Sequence, residues 1–365
     1  MMDELGWRSY RRLFDQRRIS RRDRRACLGT VLGTLAGCLT LTALPALAQE
    51  IRFFRIGTGA TGGSYFPVGG MIANAISNPP GSRSCDRGGS CGIPGLIAVA
   101  QTTQGSVENV RAIGSGQFDS ALCQADVAHW AFTGSSIFAE TGAIDSLRAI
   151  AHLYQESLHV VVRADSDIHA IEDLTGKRVS ISEKGSGTLL TADMVLDSFG
   201  IARKALKAEY LSIGAAASRL AAGEIDAFFM VGGHPLPAIV DLARRQDIRL
   251  LPVDGEGAEA LRMKYPFLTV DLIPATAYRG TDTTITIGIG TLWLVSATLS
   301  EDVVFGLARA LWHPSTRKLL DEGNPIGRRI RIETALLGIP IPLHPGAARY
   351  YAEADQLRGL RPLPK

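Results

Sequence analysis

The sequence contains no Gly-Lys-Ser/Thr, so its glycine-rich stretch near the start is not the phosphate loop of a nucleotide hydrolase. It contains no His-Glu-x-x-His either. The seven histidines (His129, His152, His159, His169, His234, His313 and His344) fall in no recognisable triad motif or metal-ligand spacing. An enzyme is therefore not expected, and neither is a metal or a cofactor. Beyond residue 48 there is no apolar run of about 18 residues, the length a membrane-spanning helix needs. Excess charge of one sign is missing too. The chain is +3 overall, but nine arginines against four acids make the first 48 residues +5, and taking those away leaves −2. The basic balance belongs to that first segment, and no nucleic-acid partner is expected. Cysteine is scarce: of five, three lie beyond residue 48. Cys85 and Cys91 bracket a Gly/Arg-rich loop, where an oxidising compartment would favour a disulfide. A metal site is the alternative, but no histidine or further cysteine is expected nearby. Cys123 ends an apolar strand and reads as a buried free thiol. Gly88-x-Ser90-x-Gly92 has the spacing of a hydrolase elbow but lacks the strand and helix that would aim the serine.

The first 48 residues read as an export signal. Arginines precede an apolar run from Ala26 to Leu44, and Ala46-Leu47-Ala48 before Gln49 is an A-x-A cleavage site. Leu35-Ala36-Gly37-Cys38 offers a rival, lipoprotein processing at Cys38, and Arg21-Arg22 leaves the twin-arginine route open. Either way a periplasmic location is expected. The 317 residues left after removing 48 from 365 suit one large or two medium domains, soluble and monomeric.

The organising stretch is Phe53 to Pro67. A short β-rich run enters Gly57-Thr-Gly-Ala-Thr-Gly-Gly-Ser64, and Pro67 then opens a helix whose face is Val68, Met71, Ile72, Ala75 and Ile76. Strand, glycine loop and helix N-terminus together suit a negatively charged group. Gly57-x-Gly59-x-x-Gly62 also has the dinucleotide spacing. That reading needs an acid about 20 residues on, and positions 76–85 contain none.

Two units recur. Gly116-Gln-Phe-Asp-Ser-Ala-Leu122 and Gly223-Glu-Ile-Asp-Ala-Phe-Phe229 each link a helix to a buried strand, 107 residues apart. Lys177 to Ile181 leads through Gly185-Ser-Gly-Thr188 into a second helix, repeating the first glycine loop. Strands alternating with helices predict parallel α/β sheets in two lobes, each with its loop at the carboxyl ends of the strands. Leu147–Tyr154 with Leu158–Arg163, and Thr283–Ala297, read as crossover strands forming a hinge. Lobe one then comprises 49–157 plus 278–365, and lobe two 158–277. The tail from Glu301 is helical, with Val304, Leu307, Ala308 and Leu311 packing back on lobe one.

Several segments resemble one family in order across the chain: Ile56 to Pro67, Gly105-Ser-Val-Glu-Asn-Val110, Gln124-Ala-Asp-Val127, Asp173-Leu-Thr-Gly-Lys-Arg-Val179 with Gly185–Thr188, and His344-Pro-Gly-Ala347 with Tyr350-Tyr351. They are similar to the TAXI receptors of TRAP (tripartite ATP-independent periplasmic) transporters. The resemblance implies a type II-like periplasmic binding protein, a Venus flytrap that hands its ligand to a membrane permease. It implies a small carboxylate as ligand: a glutamate-like amino acid, a dicarboxylate or a 2-oxoacid. The insertion around Cys85–Cys91 departs from the shortest form of the pattern. A receptor that serves a sensor would carry the same sequence features.

The loop donors expected to hold the ligand are Thr58, Thr61, Ser64 and Tyr65, with Gly59, Gly62 and Gly63 allowing backbone conformations that a side chain would block. Ser106 caps a helix or meets the ligand. Gln124 and Asp126 follow a buried strand, and Asp126 either accepts from a ligand amine or caps the next helix. Ser186 and Thr188 form the opposing jaw, and Gly232 and Gly233 let the backbone approach.

Overall fold

The β-branched runs that interrupt the helical periodicity become the spine of the fold. In this computed structural model, which describes residues 51–359, the N-terminal half builds β1 (Arg52–Gly57), α1 (Tyr65–Ile76), β2 (Leu96–Gln101), α2 (Ser106–Gly114), β3 (Ser120–Gln124) and α3 (Ala125–Thr133). The chain then crosses in one 17-residue strand, β4 (Leu147–Arg163), where sequence suggested two pieces. Next come β5 (Arg178–Ser180), α4 (Gly187–Ser198), β6 (Lys207–Glu209), α5 (Ile213–Ala221), β7 (Ala227–Gly232), α6 (Pro237–Arg245), β8 (Ile248–Leu250), α7 (Gly255–Lys264) and β9 (Thr269–Ile273). The return crossing is β10 (Thr284–Ser296), followed by α8 (Glu301–Leu311), α9 (Pro314–Gly323) and α10 (Pro345–Gly359). The export signal expected over residues 1–48, with Cys38 and Ala48, lies outside the described residues. No described helix is long and apolar enough to cross a membrane.

The ten strands form one sheet in the order β2-β1-β3-β10-β4-β7-β5-β6, with β8 beside β4 and β9 beside β10. The order is the same in both directions from the antiparallel β10–β4 pair. On each side the strands are parallel to one another and antiparallel to the crossing strand they meet. This is a two-lobed α/β fold, and the sequence repeats are structural equivalents. Each repeat aspartate bonds to an arginine one strand away. Arg55 donates its backbone N–H (2.8 Å) and Nε (3.1 Å) to Asp119, and Arg178 does the same to Asp226 at 2.7 and 3.1 Å. The aspartate N–H groups return the bond to the arginine carbonyls. An aspartate after a glycine turn can do this because its short carboxylate reaches the neighbouring strand's free N–H.

Both faces of each half are covered. On one face of the first half, Phe54, Ile56, Ile72 and Ile76 pack with Val304, Leu307, Ala308 and Leu311 of α8, so the tail docks there. The opposite face buries Val110, Cys123, Val127 and Leu294. In the second half Val160, Val179, Val195 and Phe229 form one core, and Val161, Leu220, Phe228 and Leu242 the other. The expected second boundary at 277/278 comes too early in the chain. Tyr278, Ile287 and Ile289 all pack into the second half's cores, so the return crossing lies near Gly290. Helix α1 also starts earlier than proline suggested: Ser64 is its N-cap and Pro67 its third residue, still within the turn whose N–H groups have no helical acceptor.

Cys85 and Cys91 form a disulfide, and Cys123 is free and buried. Folding brings His313, 228 residues away, to 3.7 Å from the Cys85 sulfur, correcting the expectation that no histidine is near. With both thiols in the bond, one imidazole is left of the three potential metal ligands that cluster there among the described residues.

A fully buried asparagine ties the loop ends together. Asn109 on α2 donates from Nδ2 to the carbonyls of Thr58 and Leu122, both at 2.7 Å, and accepts from the Thr103 hydroxyl at 2.9 Å. Gly57 makes room for it, since a Cβ there would sit 2.8 Å from Asn109 Oδ1. Asn109→Ala takes a donor from two buried carbonyls, of which that of Thr58 keeps the Thr103 hydroxyl, so urea unfolding should show a loss of about 1–3 kcal/mol. A loss below about 0.5 kcal/mol would mean that water replaces the amide.

Candidate functional site

The two glycine loops face each other across the gap between the lobes. Around it stand the first turns of α1 and α2 from one lobe and of α4 from the other, with Gln124 at the N-cap of α3. They enclose a cavity of about 40 Å³, a few times the ~10–15 Å³ that one water needs. Its walls include Gly59, Gly63, Ser64, Tyr65, Ser106, Gln124, Ser186 and Thr188. These eight of the residues expected from sequence are brought together.

Six others stand elsewhere. Thr58 is wholly buried and donates to the Gln101 carbonyl, fixing the end of β1 to β2. Thr61 is exposed on the outside of the loop. Asp126 lies beneath the site and accepts the Val127 N–H at 2.7 Å, so the structure places it as a first-turn cap of α3. Gly62, Gly232 and Gly233 belong to close packing. A Cβ on Gly62 would meet Ala238 at 3.0 Å, one on Gly232 Leu236 at 2.8 Å, and one on Gly233 Tyr154 at 2.9 Å. None of Gly57, Gly59, Gly62 and Gly63 has a positive φ, so the loop's glycines provide space and not the unusual backbone angles expected. Gly105 is different: its φ of 120° opens α2, and its missing side chain would face Ser186.

The lobes are latched largely through backbone. The Gly185 carbonyl accepts from Val107 and Glu108 at the start of α2, both at 3.1 Å, and its N–H donates to Gln104 Oε1. On the other side, Ala238 N–H donates to the Gly62 carbonyl and Gly233 N–H to Ser64 Oγ, each at 3.2 Å. Gly187 presses so closely on Gln124 that a Cβ would overlap the amide oxygen outright.

The residue sequence reasoning missed is Glu156. It lies in β4 where the strand passes between the lobes, is 1% exposed, and lines the cavity. Tyr65 donates to its Oε2 at 2.8 Å and Ser64 to its Oε1 at 3.3 Å. Burial pushes its pKa up to about 8 against the pull of those hydrogen bonds, so the group is a neutral acid at pH 7 in this conformation. The signal was present: Gln155-Glu156-Ser157 is the one run of three polar residues in the crossing, whose other polar members stand singly. Two register shifts against β10 just before it, after Leu294 and Leu292 in the partner, mark where β4 bulges. Glu183, also raised by burial, adds a second acid to the wall. Among the described residues lining the cavity there is no lysine, arginine or histidine. Gln124 Nε2 is buried there without a hydrogen-bond partner.

This charge pattern has a pH signature. An acid raised from 4.5 to about 8 holds its proton in the folded state and loses it in the unfolded one, so stability falls as pH rises between those values. Glu156→Gln keeps the acceptor oxygen and removes the titration. Relative to wild type it should gain at least about 1.4 kcal/mol between pH 5 and pH 8, one pKa unit's worth. A difference that stays constant across that range would show Glu156 to be ionised in the folded protein.

The match to known proteins spans nearly the whole described region. The model of the NMT1-like family covers residues 56–354. Among solved structures, the chain is similar to the periplasmic aliphatic sulphonate binding protein of Escherichia coli (13% identity, 83% of this chain and 84% of that one, TM-score 0.41). It is also similar to the alkanesulfonate-binding protein of Xanthomonas axonopodis pv. citri bound to MOPS (17%, 87% and 96%, 0.43). A third is an ancestral arginine-binding protein bound to arginine (15%, 74% and 98%, 0.44). With the family model matched over 56–354, the chain belongs to the NMT1-like family of transporter substrate-binding proteins.

Proposed function

We propose that this chain is an extracytoplasmic solute receptor of the TAXI type, capturing a small α-amino acid between its lobes for a TRAP permease. The observation that carries the amino-acid reading is that one cavity holds groups for both charges. The first turn of α4 presents N–H groups without helical acceptors, beside the hydroxyls of Ser106, Ser186 and Thr188. These suit a carboxylate. Glu156, held by Ser64 and Tyr65 at the start of α1, suits an ammonium, which would draw its proton off and form a buried, hydrogen-bonded ion pair. A dicarboxylate or 2-oxoacid would bring no cation to Glu156 and would meet no basic side chain. The TRAP assignment rests on the resemblance of the loop and repeat motifs. A neighbouring gene for a many-helix permease with no ATPase gene beside it supports it, and an ATPase gene overturns it.

Thermal unfolding of the purified chain against amino acids, dicarboxylates and 2-oxoacids tests the ligand class. Ligand bound only to the folded state adds about 2.7 kcal/mol at 100 times its dissociation constant, and the shift is expected with an amino acid. Its affinity should rise with pH up to about 8 and then level off, since binding ionises Glu156 and releases one proton. A shift with dicarboxylates alone, with affinity falling as pH rises through 8, would reverse the assignment and make Glu156 a hydrogen-bond donor.

Closure has its own test. In Gly187→Ala the new methyl group occupies the position of the Gln124 amide, so the lobes cannot meet as they do here. Affinity should fall at least about tenfold while the unfolding midpoint without ligand stays close to wild type. Unchanged affinity would mean that the ligand is held by one lobe.

A further inference from the structure

A second and much larger cavity lies between the lobes, and no residue lines both. It measures about 980 Å³, at the upper end of the range for small-molecule sites. The first lobe contributes α3 and the segment 329–340, the second lobe residues 264–269, and β4 with Gly290 of β10 supplies the floor. Its wall is aromatic. Trp130, 7% exposed, meets Phe267 and Tyr265 edge-on, with ring centroids 5.7 and 6.3 Å away.

Its charged lining groups are cationic. Lys264 stands 5.3 Å from the centre of the Tyr265 ring. Arg329 is half-buried, and its Nη2 lies 3.0 and 2.9 Å from the two ring nitrogens of His234. Burial and the adjacent guanidinium hold His234 down to about 4, so that ring is neutral and does not offset the arginine's charge. Asp271 attracts Arg329 from a distance, and among the described residues no carboxylate forms a direct ion pair with it. A buried polar atom of a lining residue, Nδ1 of His152, 9% exposed, also lacks a partner, whereas the Tyr154 hydroxyl is turned to Ser64 and Thr291. Buried groups of this kind are normally hydrogen-bonded, and a ligand anion would satisfy His152 together with Arg329.

We propose that this cavity is a second binding site, for a small aromatic carboxylate. The ring packs against Trp130, Tyr265 and Phe267, and the carboxylate meets Arg329 with His152 as hydrogen-bond partner. A cation of the same shape is repelled by Arg329 and Lys264. The proposal goes beyond the amino-acid cleft and does not depend on it.

Benzoate is the probe and benzylamine the control of opposite charge, with the tryptophan emission of the purified Trp293→Phe, Trp312→Phe chain as readout, since of these tryptophans Trp130 alone lines the cavity. Benzoate should change the emission saturably and benzylamine should not. Arg329→Gln should weaken benzoate at least about tenfold. Leu337 lines the mouth and is 60% exposed, so Leu337→Glu leaves the fold alone and should also weaken benzoate several-fold by placing a like charge at the entrance. Glu156→Gln, in the other cavity, should leave benzoate affinity unchanged. Absence of saturable binding up to about 10 mM, far weaker than specific sites bind, overturns the proposal. So does equal binding of benzylamine, or loss of benzoate binding in Glu156→Gln, which would place benzoate in the cleft. Should Arg329→Gln fail to fold, Leu337→Glu decides: unchanged affinity there also overturns it.

Discussion

The antiparallel pairing of β4 with β10 is the constraint on which the rest depends. Its hydrogen bonds run from Leu147 to Ser157 on one strand and from Ser296 back to Gly288 on the other, and each end carries a different three-strand parallel set. Helices, glycine loops and both cavities are placed by which end of this ribbon they hang from. Because a strand alternates faces at every residue, the bulges in β4 decide which side chains look into the gap. That is how one acid arrives in a strand otherwise given over to core.

The site inverts the usual expectation for an anion-binding cleft. Positive potential comes from backbone, through helix first turns, and the ionisable side chains on the wall are acids. A neutral Glu156 is compatible with an empty closed state, whereas an ionised one without a cation would carry a large desolvation penalty. Under the proposed amino-acid reading, that proton is given up when an ammonium enters, which would couple ligand charge to lobe closure at a single oxygen pair.

Much of the fold was legible in the sequence. Glycine turns ending in Phe-Asp or Ile-Asp marked the strand entries, and the crossings stood out as β-branched runs longer than an ordinary strand. Thr286 and Ile289 show why the second boundary was misplaced. A crossing strand belongs to both lobes, and nothing in local composition says where one core hands over to the next. Site residues were legible where a loop carries them, as with Ser64 and Ser186. They were not where a residue's role is set by a partner far along the chain: Thr58 is taken by Gln101, and Thr61 turns outward. Glu156 was hidden because a lone acid between two apolar runs has the local pattern of a loop between strands. The approach of His313 to Cys85 could not have been found, since 228 residues of folding intervene.

The mirrored order of the sheet bears on how far the lobes are separate objects. β3 finds its inner neighbour only in β10, and β7 only in β4, while each crossing strand begins in one lobe and ends in the other. Cutting the chain at the crossings would leave each half with a row of unpaired N–H and C=O groups along an interior edge. Such an edge seeks another strand, and the one that fits it is the missing half or the same strand from a second molecule. The halves are thus not modules that could be shuffled one at a time. They are two copies of one design that only close each other's sheet, and a hinge here is also a seam.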